Sequence, residues 1–147
     1  MDSGSRVNDI SVIVLARNNA TYLPKLFNML QALEQNYEVR LSFTFLENGS
    51  HDQTPELIKN FLQEREGVLA HIGNTKLLDG QPRTVKMANL RNKAKDISPR
   101  NSDWHMLIDT DIYFESNILE KMFAHNPSEK LVGMLCAYGI EIWPGKT

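Results

Sequence analysis

Leu107-Ile108-Asp109-Thr110-Asp111-Ile112 is the stretch on which the reading of this chain turns. Residues 104–108 read as a buried hydrophobic strand, and Asp109 and Asp111 follow it as carboxylates separated by one residue. If the chain turns there, both can reach a single ion. A divalent cation with oxygen ligands, Mn²⁺ or Mg²⁺, is what a diphosphate substrate requires, so the pattern points to an enzyme handling a nucleoside diphosphate. A bare Asp-x-Asp also arises in ordinary solvated turns, where aspartate is common. The surrounding chain has to decide between the two.

Upstream, Ile-Ser-Val-Ile-Val-Leu-Ala at 10–16 is a continuous apolar, β-branched run that predicts a strand buried on both faces. The polar loop Arg17-Asn18-Asn19 follows it. Over 22–33, Leu23, Leu26, Phe27, Leu30 and Leu33 recur at helical spacing. Val39, Leu41, Phe43 and Phe45 then alternate with Arg40, Ser42 and Thr44, which is strand spacing. Glu47-Asn48-Gly49-Ser50 breaks that strand with turn chemistry. Thr54-Pro55-Glu56 predicts a helix start with a hydroxyl cap, a proline in the first turn and an acid near the positive end of the dipole. Leu57, Ile58, Phe61 and Leu62 are its apolar face.

A short strand is expected over 68–72, a loop over 73–81, and a helix over 82–97 with Val85, Met87, Ala88, Leu90 and Ala94 as apolar positions. Asn101-Ser102-Asp103 forms a turn into the strand that delivers the acid pair. Ser116 is placed as the cap of a helix running to Phe123, and a last strand is expected over 131–138. The chain shows no internal repeat and no low-complexity tract.

Strands alternating with helices predict an α/β fold, a mostly parallel sheet flanked by helices on both faces. The division expected is a polar tail over 1–9 and a single domain over 10–147. In such sheets ligands bind beyond the carboxyl ends of the strands. Arg17-Asn18-Asn19, Glu47-Asn48-Gly49-Ser50 and Asp109-Thr110-Asp111 all fall at those ends, so topology alone brings them to one edge.

Composition narrows the partners. The chain has 147 residues, 41% hydrophobic and 23% charged, and a formal net charge of -2, which gives no electrostatic reason to expect nucleic acid or an anionic membrane. One cysteine, Cys136, excludes an internal disulfide and a cysteine-based metal centre. Residues 1–9 are polar and do not resemble a signal peptide. No apolar run approaches the roughly 20 residues that span a bilayer. A cytoplasmic, reducing setting is the expectation.

Among single residues, Glu47 ends the second strand, where a carboxylate has acceptors to offer a base or ribose. Asp52 reads as a helix cap rather than a ligand. Arg83 and Lys86 lie in the opening turns of a helix whose free N–H groups favour anions, and Arg91 sits two turns on, roughly on the same side. Guanidinium matches phosphate oxygens in bidentate fashion. A solvated basic face is the simpler reading for Lys93 and Lys95. His51, His71, His105 and His125 show no metal-ligand spacing, and His105 reads as a core residue. Trp104 and Trp143 could stack on a sugar or base, but packing is their simpler reading. No nucleophile elbow, Walker loop or dinucleotide fingerprint is present.

Taken together, residues 10–18, 47–54, 88–92 and 103–111 resemble the GT-A fold glycosyltransferases, nucleotide-sugar-dependent enzymes with a D-x-D motif. Many members carry Asp-Asp-Gly-Ser-x-Asp-x-Thr where this chain has Glu47-Asn48-Gly49-Ser50-His51-Asp52-Gln53-Thr54. The Glu-Asn variant, with Arg83 and Leu90-Arg91-Asn92, looks more like fungal capsule-associated mannosyltransferases and some large-virus glycosyltransferases. The resemblance implies that Ala16 and Arg17 line the nucleotide pocket, that Glu47 contacts base or ribose, and that Arg83 and Arg91 approach the diphosphate. It implies that Asp109 faces ribose or metal, that Asp111 ligates the metal, and that Thr110 between them belongs to the same donor site.

The implied reaction moves a sugar from a nucleoside diphosphate sugar to a glycan or other hydroxyl acceptor. The departure from the family is at the carboxyl end, where little chain remains for an acceptor site. Glu141 is the one late acid that could act as catalytic base, although a surface carboxylate is its simpler reading. Another subunit or a further segment could complete the site. Two other readings stay open. One is a module that binds a nucleotide sugar without turning it over. The other is a haloacid dehalogenase-type phosphatase, in which the first acid of a pair after a strand is a nucleophile; that family wants Asp-x-Asp-x-Thr near its start, and Tyr113 holds the fifth place here.

Overall fold

The apolar run at 10–16 becomes a strand of a parallel sheet with a neighbouring strand on each side. The computed structural model describes residues 8–36, 39–72 and 80–124. In chain order these form β1 (Asn8–Ala16), α1 (Leu23–Asn36), β2 (Val39–Glu47), α2 (Thr54–Leu62), β3 (Gly67–His71), α3 (Arg83–Asp96), β4 (Trp104–Ile108) and α4 (Ile118–Phe123). The strand order is β3-β2-β1-β4. Every pairing is parallel, as strand–helix alternation requires when crossovers cover the faces. The order reverses beside β1, so β1 and β4 flank the crevice where such sheets take ligands.

Alternation along each strand divides the core in two. On one face Ile10, Val12, Val14 and Ala16 of β1 and Leu41, Phe43 and Phe45 of β2 pack under Leu23, Leu26, Leu30 and Leu33 of α1, Ile58 and Phe61 of α2 and Leu119 of α4. Phe27 stacks on Phe61 with ring centroids 4.2 Å apart, and Phe43 and Phe45 meet Phe61 edge-on. On the other face Ile13, Leu46 and Ile72 pack under Leu90 and Ala94 of α3. At about 25 cal/mol per Å², burial of these rings and branched chains is the main favourable term.

Several expectations are corrected. β1 begins at Asn8, since Asn8 and Asp9 continue the ladder opposite Val39 and Arg40. The polar residues Ser42 and Thr44 of β2 are buried, because α3 closes over that side, in keeping with a sheet covered on both faces. Thr44 and Ser11 both place their hydroxyls on Ser98 Oγ, at 3.3 and 2.9 Å. β4, by contrast, is not buried throughout. It ends the strand order among the described residues, so Ile108 is buried while Leu107 is 54% exposed and His105 lies on the same open face. His105 is therefore not a core residue.

Helix starts shift too. Gln53 holds the N-cap position of α2 without a side-chain cap, and Thr54 lies just inside the helix with its hydroxyl accepting the backbone N–H of Asn19 (2.9 Å). Asn117, not Ser116, holds the N-cap position of α4. The expected strand at 131–138, Cys136, His125, Glu141 and Trp143 lie outside the described residues, as does 73–79 of the expected loop.

Candidate functional site

The carboxyl ends of β1 and β2 finish level, with Ala16 opposite Glu47. The N–H of Asn48 donates to the Ala16 carbonyl (3.0 Å), which extends the pairing one step beyond the strands. Past that point the two following loops are tied to each other by asparagine, serine and aspartate side chains. The N–H of Asn18 donates to Ser50 Oγ (3.0 Å), the N–H of His51 donates to Asn18 Oδ1 (2.7 Å), and the N–H of Ala20 donates to Asp52 Oδ2 (3.1 Å). The N–H of Arg17 donates to Asn19 Oδ1 (2.7 Å). Asn18 takes φ of 51°, in the left-handed region that asparagine tolerates better than most residues. These bonds set the exposed Arg17 on the rim beside the ends of β1 and β2.

Asp52 also accepts the N–H of Thr54 (3.0 Å). It therefore holds the opening of α2, as expected of a capping acid, although it stands one residue before the N-cap. Its hydrogen bond with Thr54 is the main cause that holds its carboxyl below the ordinary value, with partial desolvation opposing.

Glu47 is almost fully buried, at 3% exposure. One of its oxygens accepts the N–H of Ser50 in a short hydrogen bond, and the other lies 2.9 Å from His71 Nδ1. Burial pushes its pKa up, but hydrogen bonds from Ser50 and His71 outweigh burial and hold it below the ordinary 4.5. Glu47 is an ionised, fixed carboxylate.

On the other side of β1, Val14 pairs with Ile108, so the chain leaves the sheet at Asp109, level with Leu15. The N–H of Ile112 donates to the Asp109 carbonyl (3.4 Å), closing a turn that exposes Asp109 and Asp111 while burying Thr110 to 7%. The turn is anchored beyond the acids. Phe114 is buried, and its N–H donates to Met29 Sδ of α1 (3.2 Å). From α3, Arg91 brings Nη2 to 3.6 Å from Asp109 Oδ1. Both side chains are more than a third exposed, so this pair contributes little to stability. Its effect is to set a guanidinium beside the acid pair. Arg83 opens α3 and is exposed, with Lys86 in the same turn.

The structure thus places Ala16, Glu47, Asp109, Thr110 and Asp111 along one sheet edge and brings Arg91 against Asp109. From β3 to β4 that edge spans three strand spacings, about 14 Å. No family model matches the chain, and no curated protein matches its sequence. Solved structures do. Staphylococcus aureus TarS 1–349 in complex with UDP-GlcNAc aligns at a TM-score of 0.58 and 22% identity, over 82% of this chain and 31% of that one. S. aureus TarS aligns at 0.61 and 21%, over 82% and 20%. Mycobacterium tuberculosis glucosyl-3-phosphoglycerate synthase aligns at 0.50 and 18%, over 82% and 40%.

The fold is of the GT-A type. At these identities the likeness is one of fold, and the chain spans well under half the length of each of these relatives.

Whether this GT-A sheet edge suits a divalent cation can be judged from its donor set. No group of three or more His, Cys, Asp or Glu that could hold a metal occurs among the described residues. Mg²⁺ and Mn²⁺ do not need one. Magnesium keeps several waters and is bound through one or two carboxylates plus substrate phosphates. Two exposed aspartates on an anchored turn, with a phosphate-matching arginine alongside, fit that mode. No described helix is long and apolar enough to cross a membrane.

Sequence reading missed two members of this GT-A edge. His71 meets Glu47 through the β2–β3 register, in which the two residues are Cα partners, and a period-2 pattern carries no register between strands. Met29 reads as one more apolar position of α1, and nothing local marks its sulfur as an acceptor for Phe114.

Proposed function

We propose that this chain is the donor-binding part of a metal-dependent glycosyltransferase that moves a sugar from a nucleoside diphosphate sugar to a glycan or other hydroxyl acceptor. The observation that carries the reading is the Arg91–Asp109 pairing on the same sheet edge as Ala16 and Glu47. A guanidinium suited to a diphosphate stands beside an acid pair suited to its cation, and Glu47 ends β2 farther along the same edge, where parallel sheets take ligands. The complex of TarS 1–349 with UDP-GlcNAc supports a nucleotide-sugar occupant for this fold.

In this reading Asp111, with Asp109, holds Mn²⁺ or Mg²⁺. The bound ion supplies Lewis-acid neutralisation of the departing diphosphate. Arg91 and Arg83 add guanidinium donors to the phosphate oxygens, where fixed positive charge lowers the barrier to bond breaking. Ala16 and Arg17 form the wall of the nucleoside pocket, and Thr110 holds the backbone between the acids by staying buried. Glu47 fixes the base or ribose end. The Glu47-Asn48 variant is the feature that likens the chain to the capsule-type and viral subgroup, and it leaves the donor's base and sugar open. The catalytic base and the acceptor site belong to chain beyond the described residues, where Glu141 remains a candidate, or to a partner subunit.

A second reading from the sequence is a module that binds the nucleotide sugar without turnover. The likeness of fold gives the phosphatase reading no support. Incubation with UDP-, GDP-, CDP- and dTDP-sugars, with and without Mn²⁺ and an acceptor mixture, separates the two readings. Metal-dependent release of nucleoside diphosphate that rises with acceptor is expected. Binding without release favours the module, and absence of both contradicts the donor site.

A further inference from the structure

We propose that His71, held by Glu47, reads a ring N–H on the base of the nucleotide and so sets which base this site accepts. The inference rests on the donor-site reading above and deepens it at the β3 end.

Glu47 and His71 end adjacent strands as direct partners, and the N–H of Ile72 donates to the Glu47 carbonyl (2.8 Å), so the pairing continues past both side chains. Their exposures differ sharply. The Glu47 side chain is 4% exposed and the His71 side chain 53%. Both Glu47 oxygens are occupied, by the Ser50 N–H and by His71 Nδ1. Of these two side chains the one offered to a ligand is therefore the imidazole, with the carboxylate behind it.

That arrangement fixes the chemistry offered. An ionised carboxylate only accepts, so Nδ1 must carry the proton it shares with Glu47. In the neutral ring Nε2 then presents a lone pair. This is the way an orienting carboxylate sets the tautomer of a ligating histidine. A lone pair at that position accepts a ring N–H, such as N3–H of uracil or N1–H of guanine. It opposes the bare ring nitrogens N3 of cytosine and N1 of adenine. Glu47 acts through His71 and is a positioning residue.

The two roles separate by substitution. His71→Phe keeps the ring area of an exposed residue and removes both nitrogens. Glu47→Gln changes the tautomer. The Ser50 N–H can only donate, so it takes the amide oxygen, and the amide NH₂ is left facing Nδ1. The proton then moves to Nε2, which becomes a donor.

Calorimetric titration of the full chain at pH 8 with Mn²⁺ and UDP, GDP, CDP, ADP or pyrophosphate tests this. UDP or GDP is expected to bind best, and its N3-methyl or N1-methyl form roughly tenfold more weakly, one hydrogen bond's worth. His71→Phe is expected to erase that discrimination and Glu47→Gln to reduce or invert it, with pyrophosphate affinity the same in all three proteins. Preference for CDP or ADP, or a His71→Phe protein that keeps the wild-type base ranking, overturns the inference while leaving the donor site standing. Failure of every nucleoside diphosphate to bind the wild-type chain overturns the donor site as well. Circular dichroism checks that Glu47→Gln is folded, and His71→Phe carries the test if it is not.

Discussion

Residue by residue, the position of the acid pair at the end of β4 was legible, and the contacts that hold its turn were not. Asp109 and Asp111 could be placed at a strand end because they directly follow an apolar run, although the pair alone also suits a solvated turn. Arg91 was read as a phosphate residue from its place on a basic helix, and the structure sets it 3.6 Å from Asp109. Asp111→Ala is expected to lower metal-dependent donor binding by about 10²-fold with the melting temperature unchanged, because Asp111 is exposed; titration with Mn²⁺ checks this. Arg91→Ala is expected to weaken a nucleoside diphosphate by roughly tenfold and the bare nucleoside hardly at all; equal losses for both ligands would remove Arg91 from the phosphate end. Glu47 carries a pH signature. Its folded pKa lies below 4.5, so its contribution to stability is complete above that value and is lost as pH falls through the folded value. Chemical denaturation between pH 3 and 6 is expected to show this loss in the wild-type chain and a shallower acid slope in Glu47→Gln. The same substitution is expected to cost about 1–3 kcal/mol at neutral pH.

Among the elements, those with a strong period emerged where expected and those decided by neighbours did not. The run at 10–16 is buried on both faces because β1 has β2 and β4 on either side and helices over both faces. The alternation of β2 and the apolar run of β4 do not by themselves give their burial. Ser42 and Thr44 look like a solvent face but lie under α3, whereas Leu107 looks like core but sits on the open face of an end strand. Hydrophobicity records what a face tolerates, and the helix that covers it is set by topology. Gly67 shows the same dependence on neighbours: a Cβ there would lie 2.5 Å from the Leu62 side chain and 2.9 Å from the Phe43 carbonyl. Gly67→Ala is expected to destabilise the fold by about 1–3 kcal/mol, read by urea denaturation. The turn carrying the acids depends on α1 through Met29. Met29→Leu keeps the packing and removes the acceptor for the Phe114 N–H. It is expected to raise the Mn²⁺ dissociation constant severalfold with a change in stability under about 1.5 kcal/mol.

At the scale of the whole molecule, alternation of strands and helices led to the parallel sheet, and the parallel sheet led to the edge on which the site is built. That chain of reasoning needed no side-chain detail, which is why the fold class was readable from residues 10–108. The joining of the β1 and β2 loops through Asn18, Ser50 and Asp52 was not readable, because those bonds link residues more than 30 positions apart. A donor that binds the folded chain alone must also stabilise it, by about 2.7 kcal/mol at a hundredfold excess over its dissociation constant. The measurement that bears most directly on the central claim is calorimetric titration of the full chain with UDP-, GDP-, CDP- and dTDP-sugars, in Mn²⁺ and again in EDTA. One nucleotide class binding in Mn²⁺, and losing most of that affinity in EDTA and in Asp111→Ala, is the predicted result. Binding that ignores both the metal and Asp111, or no binding at all, would contradict a cation-assisted donor site at the end of β4.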